Sequence, residues 1–377
     1  MSGINIDMHN LVSSEEIYNI IKTSAETLIS NPDLAGSLPA IMLRGAPGVG
    51  KSTIVRSVAK ELGIGFIAVR LAQMERVDFA GLPSVREGMT EWNVPSFWPR
   101  DMKSKGIILL DEITSAPSDC QVAAYSVVLD RRIPNSNYVL PNGWLIVAAG
   151  NRTCDRAVVK TMSSALANRF VHFEVEANAE DWVKWAITND INPAIIGFIN
   201  YRPSHLLKME GQNLEQGWPS PRSWERVSNV IKMFNGNTEL LRKVVYGLIG
   251  NGVGLEFMEF FKMSSEFDSI LEVMVNEKAE FVLPDKNDKK YAVASAVIYH
   301  LWNGTNDKDT EARINGFYRI LSKMPNDFGA MMIRSAMLGN KKVKPMDAMR
   351  KIMTNKNYAT AAKKFMTANN GQPTGTL

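Results

Sequence analysis

Lys51 and Ser52 close the run Gly45-Ala46-Pro47-Gly48-Val49-Gly50-Lys51-Ser52, which fills the pattern G-x-x-x-x-G-K-[ST]. Glycines in such a run let successive backbone N–H groups curl around a phosphate, and a helix N-terminus behind them adds partial positive charge. Lys51 is thereby placed to reach the β and γ phosphates of a nucleotide, Ser52 to ligate magnesium, and Thr53 to complete the phosphate-binding stretch. A second acidic element is Asp111-Glu112, which follows the apolar run Gly106-Ile107-Ile108-Leu109-Leu110. Two carboxylates at the C-terminal end of a buried parallel strand stand on the edge where open α/β sheets bind ligands. Asp111 is expected to hold the magnesium through its water shell, and Glu112 to polarise an attacking water as general base. The adjacent glutamate argues for hydrolysis with a built-in base. The guanine-reading Asn-Lys-x-Asp of small GTPases is absent from the chain.

These residues need a scaffold, and the flanking sequence predicts one. Ala40-Ile41-Met42-Leu43 reads as a short buried strand before the glycine-rich run. Thr53 to Leu62 follows with apolar residues at helical spacing and stops at Gly63, which suits a helix C-terminus. Ser14 to Ile29 predicts an amphipathic helix, Phe66-Ile67-Ala68-Val69 a strand and Asp119 to Leu129 a helix. Trp144 to Ala149 predicts a further strand, Ser163 to Asn168 a short helix and Phe170-Val171-His172-Phe173 the last strand. Such alternation implies a parallel three-layer α/β domain over 1–177. Strand signals nearly vanish after Ala179, and apolar residues such as Trp182, Val183, Ala186 and Ile187 recur at helical spacing. A helical domain is expected over 178–275. Val275 to Asn287, with charge and Pro284, reads as a connection to a third, helical segment over 276–377, ending in the polar stretch Asn369 to Leu377.

Composition bounds the class. At 377 residues and 45% hydrophobic the chain is long enough for two or three domains. The net charge of +4 is a near-balance and shows no long basic run, so nucleic acid is not indicated. Cys120 and Cys154 lack metal-ligand spacing, and the four histidines are scattered; free thiols in a reducing compartment are the simplest reading. With no apolar signal core in Met1 to Asn10 and no stretch long enough to span a bilayer, a cytoplasmic protein is expected.

The order of the motifs resembles that of the AAA+ ATPases, and within them the MoxR-like group, over roughly Ile41 to Val230. The resemblance rests on the phosphate loop, Leu110-Asp111-Glu112, Ala148-Ala149-Gly150-Asn151, Leu166-Ala167-Asn168-Arg169-Phe170 and Pro219-Ser220-Pro221-Arg222. It implies a P-loop core followed by an α-helical lid, with ATP and Mg2+ as cofactors. It further implies a sensor role for Asn151, an arginine offered by Arg169 to the neighbouring subunit's nucleotide, and a second sensor in Arg222. The physical case for each is separate. An amide at Asn151 both donates to the γ phosphate and accepts from water, whereas a turn asparagine after Gly150 does neither. Arg169 is a permanently charged plane suited to transferring phosphoryl oxygens, or else a helix-end arginine on its own carbonyls. Arg222 follows Ser220 as N-cap and Pro221 as N1, at a helix start that ordinarily prefers acids; a phosphate or a salt bridge to Glu225 would explain it.

Two insert-like segments stand apart from this frame. A glycine-centred turn at Arg86-Glu87-Gly88-Met89 predicts a hairpin within 82–98, with Trp92, Phe97 and Trp98 either packing its base or gripping a polypeptide. A second hairpin is expected over 133–144, with Arg131 and Arg132 before it as inter-subunit arginines or as a solvated helix end. The resemblance implies a homo-oligomeric ring, a hexamer, that remodels a partner protein recruited through a von Willebrand factor A-type adaptor. A nucleic-acid motor and a nucleotide-regulated scaffold are the rival functions.

Overall fold

A computed structural model describes residues 10–152, 162–209, 216–234, 236–267 and 269–365. Cys154 and the polar stretch Asn369 to Leu377 lie outside the described residues. The chain divides into two compact units, Met1–Ala177 and Asn178–Leu377.

The first unit runs β1 (Leu11–Val12), α1 (Ser14–Ser30), β2 (Ala40–Arg44), α2 (Lys51–Leu62), β3 (Gly65–Arg70), α3 (Arg76–Ala80), β4 (Leu82–Arg86), β5 (Met89–Asn93), β6 (Gly106–Asp111), α4 (Ser118–Asp130), β7 (Trp144–Gly150), α5 (Ser164–Ala167) and β8 (Phe170–Val175). Six of the strands form one sheet in the order β1-β8-β2-β7-β6-β3, and every pairing in it is parallel. Period-two alternation sends successive side chains to opposite faces, and both faces are covered. Ile41, Leu43, Ile107, Leu109, Leu145 and Val147 pack with Ile17 and Ile21 of α1 and Val55 and Val58 of α2. Met42, Ile108, Leu110, Ile146 and Ala148 pack on the other side with Ala123, Ala124 and Val127 of α4. Each such buried Val, Leu, Ile or Met side chain stabilises the unit by about 1.5–3 kcal/mol. The expected three-layer parallel α/β core is therefore present.

The expected first hairpin is present. β4 and β5 pair antiparallel with Arg86 opposite Met89. Glu87 and Gly88, at φ 50° and 77°, form the two-residue turn whose twist suits a hairpin. Trp98 anchors its base: the indole is 1% exposed, its Nε1–H donates to the Phe79 carbonyl at 3.0 Å, and its ring meets Phe79 edge-on. The second expected hairpin, over 133–144, needs correction. It reduces to a single antiparallel bridge between Arg132 and Val139, because the N–H groups that would extend it are taken elsewhere: Arg131 donates to the Val127 carbonyl and Tyr138 to Ser136 Oγ.

Every secondary-structure element among the described residues of the second unit is a helix. Helix Asn287–Leu301 lies close on helix Pro193–Tyr201: a Cβ added to Gly197 would stand 3.2 Å from the Tyr291 carbonyl and 3.3 Å from Ser295 Oγ. Residues on both sides of 275/276 thus share one compact unit.

Candidate active site

The phosphate loop joins the end of β2 to α2, and its glycines have separate reasons. A Cβ on Gly45 would lie 2.6 Å from the Val175 carbonyl oxygen, closer than any side chain tolerates. Gly48 and Gly50 have φ of 81° and 108°, backbone that L-residues rarely adopt. Gly50 is also the N-cap of α2, so no side chain caps the helix and its first turn holds no acid. Free N–H groups and the positive end of the helix dipole face the loop, which suits an anion.

Sheet order brings the other groups to this loop. β7 lies between β2 and β6, so the residue after β7 falls between the loop and the end of β6. That residue is Asn151. Its Oδ1 accepts from the Lys51 ammonium at 3.4 Å, and Lys51 also donates to the carbonyls of Gly45 at 2.7 Å and Ala46 at 3.1 Å. Lys51 is buried at 8% exposure, so its charge acts in a medium of low dielectric. On the far side of α2's first turn, Ser52 Oγ donates to Asp111 Oδ2 at 2.8 Å. Glu112 follows in left-handed backbone, φ 57° and ψ 32°, with its N–H on Asp111 Oδ1 at 3.1 Å and its side chain exposed. A non-glycine residue costs about 1–2 kcal/mol there, and strain of this kind clusters at functional sites.

Oxygen donors from Ser52 and Asp111 suit a hard cation that takes its remaining ligands from phosphate and water, as magnesium does. No group of three or more His, Cys, Asp or Glu side chains that could hold a metal exists among the described residues. Lys51, Ser52, Asp111, Glu112 and Asn151 are thus assembled at one edge of the sheet.

Arg169 is not among them. It immediately precedes β8, whose first residue Phe170 is in register with Ala40 at the start of β2, while the phosphate loop leaves the end of β2. Arg169 therefore stands at the opposite edge, a strand length of five residues, about 17 Å, away. Its guanidinium lies over the Tyr125 ring at 5.9 Å and donates to the Tyr125 hydroxyl at 3.4 Å, with Nε buried and unpaired. It pairs with an aromatic side chain and not with its own helix-end carbonyls. Arg222 is the second residue of helix Pro221–Met233 in the second unit, with Ser220 as N-cap accepting from the Ser223 N–H at 3.1 Å. Its side chain is exposed, and among the described residues no ion pair joins it to Glu225.

The alternatives open for Arg131 and Arg132 separate here. Arg131 turns inward from left-handed backbone and donates to the carbonyls of Pro141 at 2.9 Å and Trp144 at 2.8 Å. Burial pushes its pKa down to about 10. Arg132 is exposed. Sequence reasoning missed two supports of the site. Thr114 Oγ1 accepts the Asn151 N–H at 3.2 Å, and Arg152 pairs with Glu174 at 2.8 Å. No motif marks either, since both contacts depend on strand neighbours far apart in sequence.

Residues 40–170 match the family model of the AAA domain, dynein-related subfamily. Over those residues the chain carries an AAA domain. The match covers the phosphate loop, Asp111-Glu112, Asn151 and Arg169, and ends short of Arg222. Lon protease 2 of Borreliella burgdorferi is 31% identical over 101 residues, 26% of this chain and 13% of that protein. Lon protease of Metamycoplasma arthritidis is 29% identical over 106 residues, 28% of this chain and 13% of that one. The chain thus matches only about an eighth of the length of these curated relatives. Among solved structures, RuvB of Thermotoga maritima, titled a Holliday junction branch migration motor, aligns at 18% identity and a TM-score of 0.38, covering 75% of this chain and 81% of that one. NtrX of Brucella abortus aligns at 13% identity and a TM-score of 0.37, covering 89% and 67%. No helix among the described residues is long and apolar enough to cross a membrane.

Proposed function

We propose that this AAA+ protein is a magnesium-dependent ATPase of the MoxR-like group that assembles into a ring, a hexamer, and remodels a partner protein. The observation that carries the hydrolytic reading is the convergence of the buried Lys51 ammonium on Asn151 with Ser52 on Asp111. In this reading Lys51 and the N–H groups of 48–53 bind the β and γ phosphates. Ser52 and Asp111 hold the metal, which when bound neutralises charge on the phosphate oxygens. Asn151 aligns a water, and the exposed Glu112 accepts its proton as it attacks the γ phosphorus. Arg222 senses the γ phosphate from the second unit, and its release after hydrolysis drives relative motion of the units. Arg169 acts on the neighbour's nucleotide. The MoxR-like assignment, the hexamer and a von Willebrand factor A-type adaptor come from the motif resemblance.

Binding and turnover test the reading together. Lys51→Ala should abolish ATP binding measured by titration, while Glu112→Gln should bind ATP and stop turnover. Equal turnover in Glu112→Gln and the wild type would remove Glu112 as the base. The same Glu112→Gln protein, held with ATP, should retain a protein partner that the wild type releases.

A further inference from the structure

We propose that residues 340–365 form a docking face for an anionic lipid surface. The first observation is charge. This stretch carries eight lysines and arginines against the single acid Asp347, while the whole chain has a net charge of only +4. The basic excess of the protein is therefore concentrated in its last described segment. Lys341, Lys342, Lys344 and Lys356 are exposed, and among the described residues none of them has an ion pair.

The second observation is an apolar stripe in the same place. Helix Pro345–Thr354 buries Ala348 and Ile352. Met346, Met349 and Met353, one and two turns apart on a different arc of the helix, are 86%, 45% and 47% exposed. Arg350 falls on that arc by helical spacing and is exposed as well. A helix that turns methionines outward between basic side chains matches the composition of helices lying in a membrane interface.

Composition also selects among polyanionic and protein partners. Seven of the eight basic residues are lysines, and lysine is depleted in protein–protein interfaces, whereas its long stem reaches readily to lipid phosphates. Single-stranded nucleic acid uses exposed aromatic rings as stacking platforms. The aromatic residues of this segment are Tyr358, half-buried, and Phe365, buried at 1% exposure. Nucleic acid also gives the methionine stripe no partner. An anionic bilayer accounts for both the charge and the methionines, through peripheral contact.

Sedimentation of the full-length protein with vesicles tests this. Vesicles of phosphatidylcholine mixed with phosphatidylserine should carry the protein down, and pure phosphatidylcholine should not, with binding lost as salt rises. The triple variant Lys341→Glu, Lys342→Glu, Lys344→Glu should weaken partitioning by on the order of a hundredfold. Met346→Ser, Met349→Ser, Met353→Ser should weaken it by on the order of tenfold. Both sets change exposed side chains, so thermal melts should match the wild type, and the result stands whether or not the protein hydrolyses ATP. Absence of binding to the mixed vesicles, equal binding to both vesicle types, or loss of binding in neither variant would overturn the proposal. So would tight, salt-sensitive binding to a DNA duplex by protein that ignores the vesicles.

Discussion

The Ser52 hydroxyl donates to Asp111 Oδ2 across 2.8 Å, joining the first turn of α2 to the last residue of β6. The two residues lie 59 positions apart in sequence, and β2, which leads into α2, is separated from β6 by β7. The contact exists because β2, β7 and β6 end level at one edge of the sheet.

From that pair follows a metal prediction. Asp111→Asn keeps the shape and the hydrogen bond but removes the charge that would attract a divalent ion. The magnesium concentration needed for half-maximal ATP turnover should rise by roughly 10–100-fold, while ATP binding in chelator should be little changed. An unchanged magnesium dependence would show that Asp111 does not serve the metal.

Arg131 yields a stability prediction. Arg131→Met keeps the stem but leaves two carbonyls, Pro141 and Trp144, without their charged donor. The cost should be about 2 kcal/mol in denaturant unfolding. Arg132→Met, at an exposed position, should change stability by less than about 0.5 kcal/mol. Equal midpoints for the two variants would return Arg131 to the inter-subunit alternative.

Much of this was legible from local rules, and the failures have physical causes. The phosphate loop was readable because Gly48 and Gly50 need positive φ and Lys51-Ser52 follow at fixed spacing. Asp111 was readable because a continuous apolar run marks a strand buried on both faces. The 133–144 segment misled because turn residues signalled a hairpin while the Arg131 and Tyr138 N–H groups that a longer ladder needs bond to Val127 and Ser136. Thr114, Tyr125 and Glu174 were invisible because their partners Asn151, Arg169 and Arg152 are supplied by other elements of the fold.

Arg222 gives a specificity prediction. Its side chain is exposed at the start of helix Pro221–Met233, and the cap is made by Ser220 without it. Arg222→Ala should therefore leave the melting temperature unchanged and reduce the ratio of ATP to ADP affinity, with slower turnover. A preserved ratio in calorimetric titration would remove Arg222 from nucleotide sensing.

Arg169 stands at the edge of the sheet opposite Lys51, with its guanidinium held over Tyr125. That placement keeps it from the nucleotide of its own chain, so any action on phosphate must reach another copy. Arg169→Ala subunits and Glu112→Gln subunits would then be defective in different halves of one interface: the first lacks the arginine it offers, the second lacks the base it houses. Each alone should be inactive. Mixed assemblies should contain interfaces where a wild-type Glu112 meets a wild-type Arg169, and those should hydrolyse ATP although neither parent does. Recovery should be partial, since subunits mix at random, but an arginine finger contributes roughly a thousandfold or more in rate, so a minority of repaired sites is measurable. Turnover is compared for each variant alone and after co-assembly, with mixing confirmed by differently tagged subunits. A Tyr125→Phe control separates positioning from folding: it removes the hydroxyl that Arg169 meets at 3.4 Å while keeping the ring beneath the guanidinium. It should lower turnover with an unchanged melting temperature. No recovery in demonstrably mixed assemblies would assign Arg169 to the Tyr125 contact alone.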